Sequence, residues 1–478
     1  MKKLFTLLFI VLSALSLFAC DGLTPGGTDD DGSGDGDGDG GDPVFEKLEN
    51  FVLPEDPKFS PNVSAHDPSI YHDGTKYYTF GSHFAVTSST DLIHWVQESR
   101  DSQPAFLYGT SNWKTVLSDA FAHVGNGASS TWAPAVTKFG DKFYMYYSLS
   151  TFGSAVSYIG RVEADTITGP YSNSKLIVKS DGRGGANAID PEVFWDNDGK
   201  LWMVYGSFFA GIYIKELYNE GDNIGLPKED GYGKGIWAGG TGPEGPYIFY
   251  NPDTKFYYLM TSHASLSSNY NMRVGRSEKP DGPYYDYRGF DLTFMASGGA
   301  KLAGNYQFTG YATGYAALGH NSVVIKDGKY MAVYHSRYKS GTGVSGNHNQ
   351  FVSQLFFNQD GWPVMAPNKF AGESVGFVSV EAAAIDYDVL IHSSLNNEAF
   401  MTSVPYKFTI DGKILSEDGE EAGTWVLSEN YYISIKLGMN SFEGVVVPQW
   451  NNDIKKAGLS ITALDKKGLS LWANQRFE

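Results

Sequence analysis

Three acidic residues, Asp67, Asp190 and Glu244, each head a copy of one recurring phrase, and a histidine, His320, heads another. The copies read DPSIYHDGTKYYTFGS from Asp67, APAVTKFGDKFYMYYS from Ala133, DPEVFWDNDGKLWMVYGS from Asp190, EGPYIFYNPDTKFYYLMTS from Glu244 and HNSVVIKDGKYMAVYHS from His320. Pro68 and Pro191 predict extended backbone at Asp67 and Asp190, and Glu244 lies in the stiff turn Gly242-Pro243-Glu244-Gly245-Pro246. Carboxyl groups gathered at one place are the equipment for cleaving a glycosidic bond. One protonates the leaving oxygen, and another activates water or attacks the anomeric carbon. A third carboxylate beside the acid raises its pKa by like-charge repulsion, so that it keeps its proton near neutral pH. Any one of these acids alone reads as an ordinary turn residue, whereas three in one register read as a site.

What must bring them together is the phrase itself: a short apolar run, a turn of Asp, Asn or Gly, then Lys, an aromatic-rich strand and a small polar stop. Its copies start 66, 57, 54 and 76 residues apart, each interval long enough for four strands with loops of varied length. Repetition of this kind predicts an all-β closed ring, here a five-bladed β-propeller in which equivalent positions face one axis. No stretch from Phe45 to Val378 carries a sustained helical period. Beyond Glu381 the phrase stops but strand alternation continues, in YKFTIDGKIL, GTWVLSENYYISIKLG, SFEGVVVPQW and LSITALDKKGLSLWANQ. These predict a small C-terminal β-sandwich or β-barrel, in which Trp425, Trp450 and Trp472 read as core rather than as a sugar-stacking face.

The predicted organisation is therefore a signal at residues 1–20, a tether at 21–43, the propeller at 44–380 and the C-terminal β domain at 381–478. Lys2 and Lys3 precede an apolar run too short to anchor permanently in a bilayer, which predicts export. That run ends at Leu-Phe-Ala-Cys20, which resembles a bacterial lipoprotein cleavage box, so Cys20 is the candidate lipidation site and the chain is expected at the cell envelope, outer membrane or surface. As the single cysteine it excludes an internal disulfide. Between residues 21 and 42, 17 of 22 residues are Gly or Asp, a composition that cannot bury a core and predicts a flexible tether. A formal match there to a calcium-binding loop, Asp35 to Glu46, lacks flanking helices and reads as accidental. The net charge of −18 excludes nucleic acid and anionic lipid as main partners and is compatible with a neutral ligand.

The stretches HDPSIYHDGTKYYTF, SSTDLIHW, TWAPAV, YYSLSTFGS, NAIDPEVFWDNDGKLWMVYGSF, GPEGPYI, NMRVGRSEKPDGPY and GHNSVV resemble glycoside hydrolase family 43, and within it the enzymes that cut arabinan internally. The resemblance implies an inverting hydrolase of α-1,5-linked L-arabinofuranose chains, acting on arabinan or arabino-oligosaccharides; a monomer is expected, though the sequence itself leaves the oligomeric state open. By its pattern Asp67 is the general base, Glu244 the general acid and Asp190 the residue that orients Glu244. It further implies one calcium ion in the propeller channel, largely water-coordinated, beside His320. His66, His83 and His263 are assigned no ligation. Substrate contacts carried over by motif are Trp132, Phe152, Gly153, Asn187, Ser207 and Phe208. Two other readings share this sequence. One is an exo-acting α-L-arabinofuranosidase or β-xylosidase on the same fold; the other is a non-catalytic surface propeller that only binds glycan, against which the full set of acids argues.

Overall fold

The computed structural model describes residues 48–61, 63–341 and 343–477. The signal, the tether and Cys20 lie outside them. Each recurring phrase is a β-hairpin, and its turn chemistry is visible: the Asp73 carboxylate accepts the N–H groups of Thr75 and Lys76 at 2.8 Å, and that of Asp196 accepts those of Asp198 and Lys200 at 2.9 and 2.8 Å. An Asp or Asn at this point mimics a backbone turn and fixes the register of the two strands.

Four of the phrases open four-stranded antiparallel sheets. The first comprises Ser69–His72, Tyr77–Phe80, Val86–Ser89 and Trp95–Ser99; the second Trp132–Phe139, Lys142–Leu149, Val156–Ala164 and Ser172–Asp181. The third comprises Glu192–Trp195, Leu201–Gly206, Gly211–Leu217 and Lys234–Ala238; the fourth Glu244–Asn251, Phe256–His263, Asn271–Ser277 and Ala300–Ala303. The second strand of each is its most apolar and is buried almost throughout, which explains its run of aromatic residues.

The expected fifth blade is not a blade of this kind. The hairpin Tyr315–Lys326 and Lys329–Ser340 belongs to a seven-stranded sheet. Asn349–Phe357 and Pro363–Met365 extend it on one side and Tyr306–Gln307 on the other, where Met401–Thr402, from late in the chain, pairs in parallel with Tyr306–Gln307. The arrangement is thus a propeller-like set of four four-stranded blades plus this larger sheet. Its two long strands outrun a blade, and pairing with the later segment covers an edge that would otherwise be left open.

Three short helices, Pro104–Tyr108, Trp113–Val116 and Ser118–Val124, interrupt the all-strand reading of this region. At five, four and seven residues they are too short to show a helical period in sequence. They bury Leu107, Trp113 and Phe121 against the first two sheets. The C-terminal segment closes into an eight-stranded barrel, Asp386–Ile391 pairing with Ser470–Gln475 to complete it. Trp425, Trp450 and Trp472 are all buried, at 2%, 8% and 1% exposure, so none offers a face to sugar.

Candidate active site

Five residues at the inner ends of the phrases share one unusual backbone: Asp67, Ala133, Asp190, Gly245 and His320 have φ of 56°, 37°, 58°, 56° and 48°. This left-handed conformation is costly for a residue with a side chain, and it replaces the extended backbone expected before Pro68 and Pro191. It also corrects the register. Glu244 is paired with Ser262 just as Trp132 is with Ser148 and Gly319 with His335, so Glu244 stands one residue before the position held by the two aspartates. Gly245 holds that position instead. A Cβ there would lie 2.9 Å from Nδ1 of His320, so glycine is needed both for the dihedral and for room.

The small polar stops explain how this backbone is held. The Ser82 hydroxyl accepts the N–H of Ala133 at 2.9 Å, Ser148 that of Asp190 at 2.9 Å and Ser262 that of His320 at 2.7 Å. Each phrase ends by anchoring the start of the next. The fifth anchors the first, the N–H of Asp67 donating to Nδ1 of His335 at 3.1 Å. Only the step from Ser207 differs: its hydroxyl donates to Glu244 at 3.0 Å, and the N–H of Gly245 goes to the Asp190 carboxylate at 3.1 Å.

Around a cavity of about 820 Å³ this framework assembles Asp67, Asp190, Glu244 and His320, together with Trp132, Phe152, Gly153, Asn187, Ser207 and Phe208. Every site residue singled out in the sequence within the described region therefore lines one cavity. The three acids differ in environment. Burial alone would raise the Asp67 carboxyl, but the imidazoles of His66 and His320 hold it well below the usual carboxylate range; Oδ1 lies 3.1 Å from Nδ1 of His320, and Oδ2 accepts a hydrogen bond from the Ser82 hydroxyl at 2.5 Å. Burial and then the neighbouring Asp190 charge push Glu244 up, against the hydrogen bonds donated by Tyr270 and Ser207. Burial likewise pushes Asp190 up. At neutral pH the site therefore offers an ionised carboxylate at Asp67 and a protonated carboxyl at Glu244, the division of labour that acid–base cleavage requires.

Burial opposes a charge on His320, but Asp67 and the other two acids push its imidazole up to about 9. An imidazole raised this far carries a proton on both nitrogens at neutral pH, so a cation at Nε2 would have to displace that proton while Nδ1–H stays with Asp67, the carboxylate support usual behind a ligating imidazole. A single imidazole with no carboxylate of its own among the donors suits an ion that keeps most of its water.

Two expected sugar contacts turn out to be occupied by protein. The Ser207 hydroxyl serves Glu244, and the Asn187 carbonyl accepts from Ser157 at 2.7 Å, so Asn187 has only its amide hydrogens to offer. Phe152 stands 87% exposed on the cavity, which Phe209 also lines. Sequence reasoning missed Ser82 and Tyr270, which line the cavity, and the buried Glu192, which does not. Ser82 carried a signal as the polar stop of its phrase. Tyr270 carried none, lying outside every phrase. Glu192 follows Asp190-Pro191, accepts from the Ser69 hydroxyl at 2.9 Å, and is pushed by burial up to about 7.

Three carboxyl groups lining one large cleft on a propeller-like scaffold, one held ionised and one held protonated, define a carbohydrate-cleaving hydrolase. Residues 61–363 match glycosyl hydrolases family 43, and residues 367–473 match the C-terminal lipocalin-like domain that accompanies it. The chain belongs to this family and is a glycoside hydrolase. It is 38% identical over 469 residues to the extracellular endo-α-(1→5)-L-arabinanase of Thermotoga petrophila, spanning 89% of this chain and 96% of that protein. It is 34% identical to the extracellular endo-α-(1→5)-L-arabinanase 2 of Bacillus subtilis, over 90% and 96%. The crystal structure of the endo-1,5-α-L-arabinanase of Thermotoga petrophila superposes with a TM-score of 0.81 at 36% identity, covering 89% of this chain and all of that one.

Proposed function

We propose that the protein cuts α-1,5-linked L-arabinofuranose chains internally, with inversion at the anomeric carbon. The observation that supports this best is the likeness to two endo-arabinanases over about nine-tenths of the chain, combined with three acids whose environments push their protonation apart. In this reading Glu244, neutral, gives its proton to the departing glycosidic oxygen. Asp67, anionic, takes a proton from the water that attacks the anomeric carbon from the opposite face, so one bond breaks, one C–O bond forms and the proton count balances. Asp190 receives the N–H of Gly245 and so fixes the turn that carries Glu244, while its charge keeps Glu244 protonated. Trp132, Phe208 and Phe152 offer apolar faces to furanose rings, with Gly153 leaving room at the rim.

A calcium ion beside His320 fits the donor set. It would stiffen the ring and add positive charge near the acids. Both relatives are named extracellular, which agrees with an export signal. A lipid on Cys20, holding a monomeric enzyme at the envelope, is part of the same proposal. Among the described residues no helix is long and apolar enough to cross a bilayer.

The test is release of reducing ends from linear arabinan by the wild type, Asp67→Asn and Glu244→Gln. Wild type should give mixed oligosaccharides early, with the first product of inverted configuration by NMR, and both variants should lose turnover. A single early monosaccharide would instead indicate exo action. Arabinan binding without turnover by the wild type would leave only a glycan-binding role. Palmitate labelling lost in Cys20→Ser checks the anchor.

A further inference from the structure

Besides the step from Ser207, which leaves the next backbone N–H to Asp190, one anchor that does reach a backbone N–H is not a serine hydroxyl, and it serves Asp67. Where the register places Ser148 and Ser262, the fifth phrase has His335. A serine follows immediately, but the Ser336 hydroxyl donates to the carbonyl of Ala316 at 3.1 Å. The difference is chemical. A serine hydroxyl that accepts an N–H still has a proton to give, as Ser82 shows by accepting from Ala133 and donating to Asp67. An imidazole nitrogen that accepts an N–H has none. Nδ1 of His335 takes the Asp67 N–H at 3.1 Å and lies 3.6 Å from Oδ1 of the same residue. It can hold the left-handed backbone of Asp67 without handing its carboxylate a further proton.

The ring is itself immobilised. It is fully buried, stacks on Tyr270 at 5.7 Å and 14°, and packs against His348 at 4.5 Å and His66 at 5.1 Å. His66 and His348 lie face to face at 3.8 Å. The nitrogens of His66, His335 and His348 lie within 4.8 Å of one another, near enough to suggest a metal cradle. A neutral imidazole has one lone pair, however. That of His335 is taken by Asp67, and that of His348 by Nε–H of Arg337 at 3.0 Å. Two of the three rings therefore have nothing left to offer a metal.

We propose that His335 is a positioning residue for the general base: a neutral acceptor that fixes the backbone of Asp67 from the far end of the ring and leaves its carboxylate basic. This rests on Asp67 being the base. The experiment compares His335→Leu, which keeps bulk and removes the acceptor, with His335→Asn, whose amide oxygen can occupy the place of Nδ1, using linear arabinan and Asp67→Asn as a control. His335→Leu should lower kcat about 10- to 100-fold, as small displacements of a reacting group do, with KM within about threefold, and His335→Asn should recover most of kcat. An unchanged kcat in folded His335→Leu, or equal losses in both folded variants, overturns the proposal. If His335→Leu does not fold, His335→Asn alone decides: near wild-type kcat supports the role, and a tenfold loss, or failure of this variant to fold as well, assigns His335 to packing. A fully active Asp67→Asn would instead refute the base assignment itself, a result separate from any of these.

Discussion

Removing one hydroxyl, in Ser82→Ala, tests how Asp67, the proposed base, is kept ionised. Ser82 is 1% exposed, donates to Asp67 Oδ2 at 2.5 Å and accepts the Ala133 N–H at 2.9 Å. A hydrogen bond to a charged group contributes about 1.5–3 kcal/mol, and a buried N–H left without a partner costs about 1–3 kcal/mol. Water admitted to the vacated space recovers part of this, so the variant should lose about 3 kcal/mol of stability at neutral pH. The share belonging to the carboxylate, at 1.36 kcal/mol per pH unit, raises the Asp67 pKa by about one to two pH units. The sign follows from the depressed native pKa of Asp67. Its contribution to stability is complete above the unfolded value of about 3.9 and is lost as pH falls through the native value. Narrowing that gap should bring the acid limb of kcat/KM to higher pH. Urea unfolding at pH 7 and kcat/KM on linear arabinan from pH 3 upward measure the two effects. Ser148→Ala, which removes the equivalent anchor from Asp190, should cost similar stability while leaving the acid limb in place. The reasoning is refuted if Ser82→Ala loses the expected stability but keeps the wild-type acid limb, or if its acid limb moves to lower pH.

Four further outcomes follow from the same geometry. Asp190→Asn removes a charge that holds Glu244 up, so the alkaline limb of activity should move to lower pH; an unmoved limb would exclude the tuning role. Gly245→Ala must adopt φ near 56° and place a methyl 2.9 Å from His320, which should cost about 2–4 kcal/mol in urea unfolding. Glu192 has a raised native pKa, so its charged form is disfavoured in the fold and stability falls as pH rises through about 7; Glu192→Gln should raise Tm at pH 8.5 and leave it unchanged at pH 4. Chelation should lower Tm and activity in the wild type, with calcium restoring both, and His320→Gln should abolish the response.

The sequence announced the hairpins and the acids because the phrase repeats both the turn chemistry and its opening residue. Asp67, Asp190 and His320 were legible for that reason. Glu244 was legible as an acid but misplaced by one residue, since Gly242-Pro243-Glu244-Gly245-Pro246 holds two Gly-Pro pairs and only backbone geometry shows which one opens the strand. The anchoring role of Ser82 and His335 was hidden because each acts on a neighbouring phrase rather than its own. The fifth sheet departed from expectation through pairing with Met401–Thr402, a two-residue strand too short to announce itself.

The anchors also have a consequence in time. His335 lies 268 residues after Asp67, and a chain leaving the ribosome has made all three acids before it makes the histidine that secures the first of them. A chain ending before residue 335 carries all three acids but lacks the acceptor of the Asp67 N–H, so, with His335 as the proposed positioning residue, such a truncated chain should hold no finished base and should not hydrolyse arabinan.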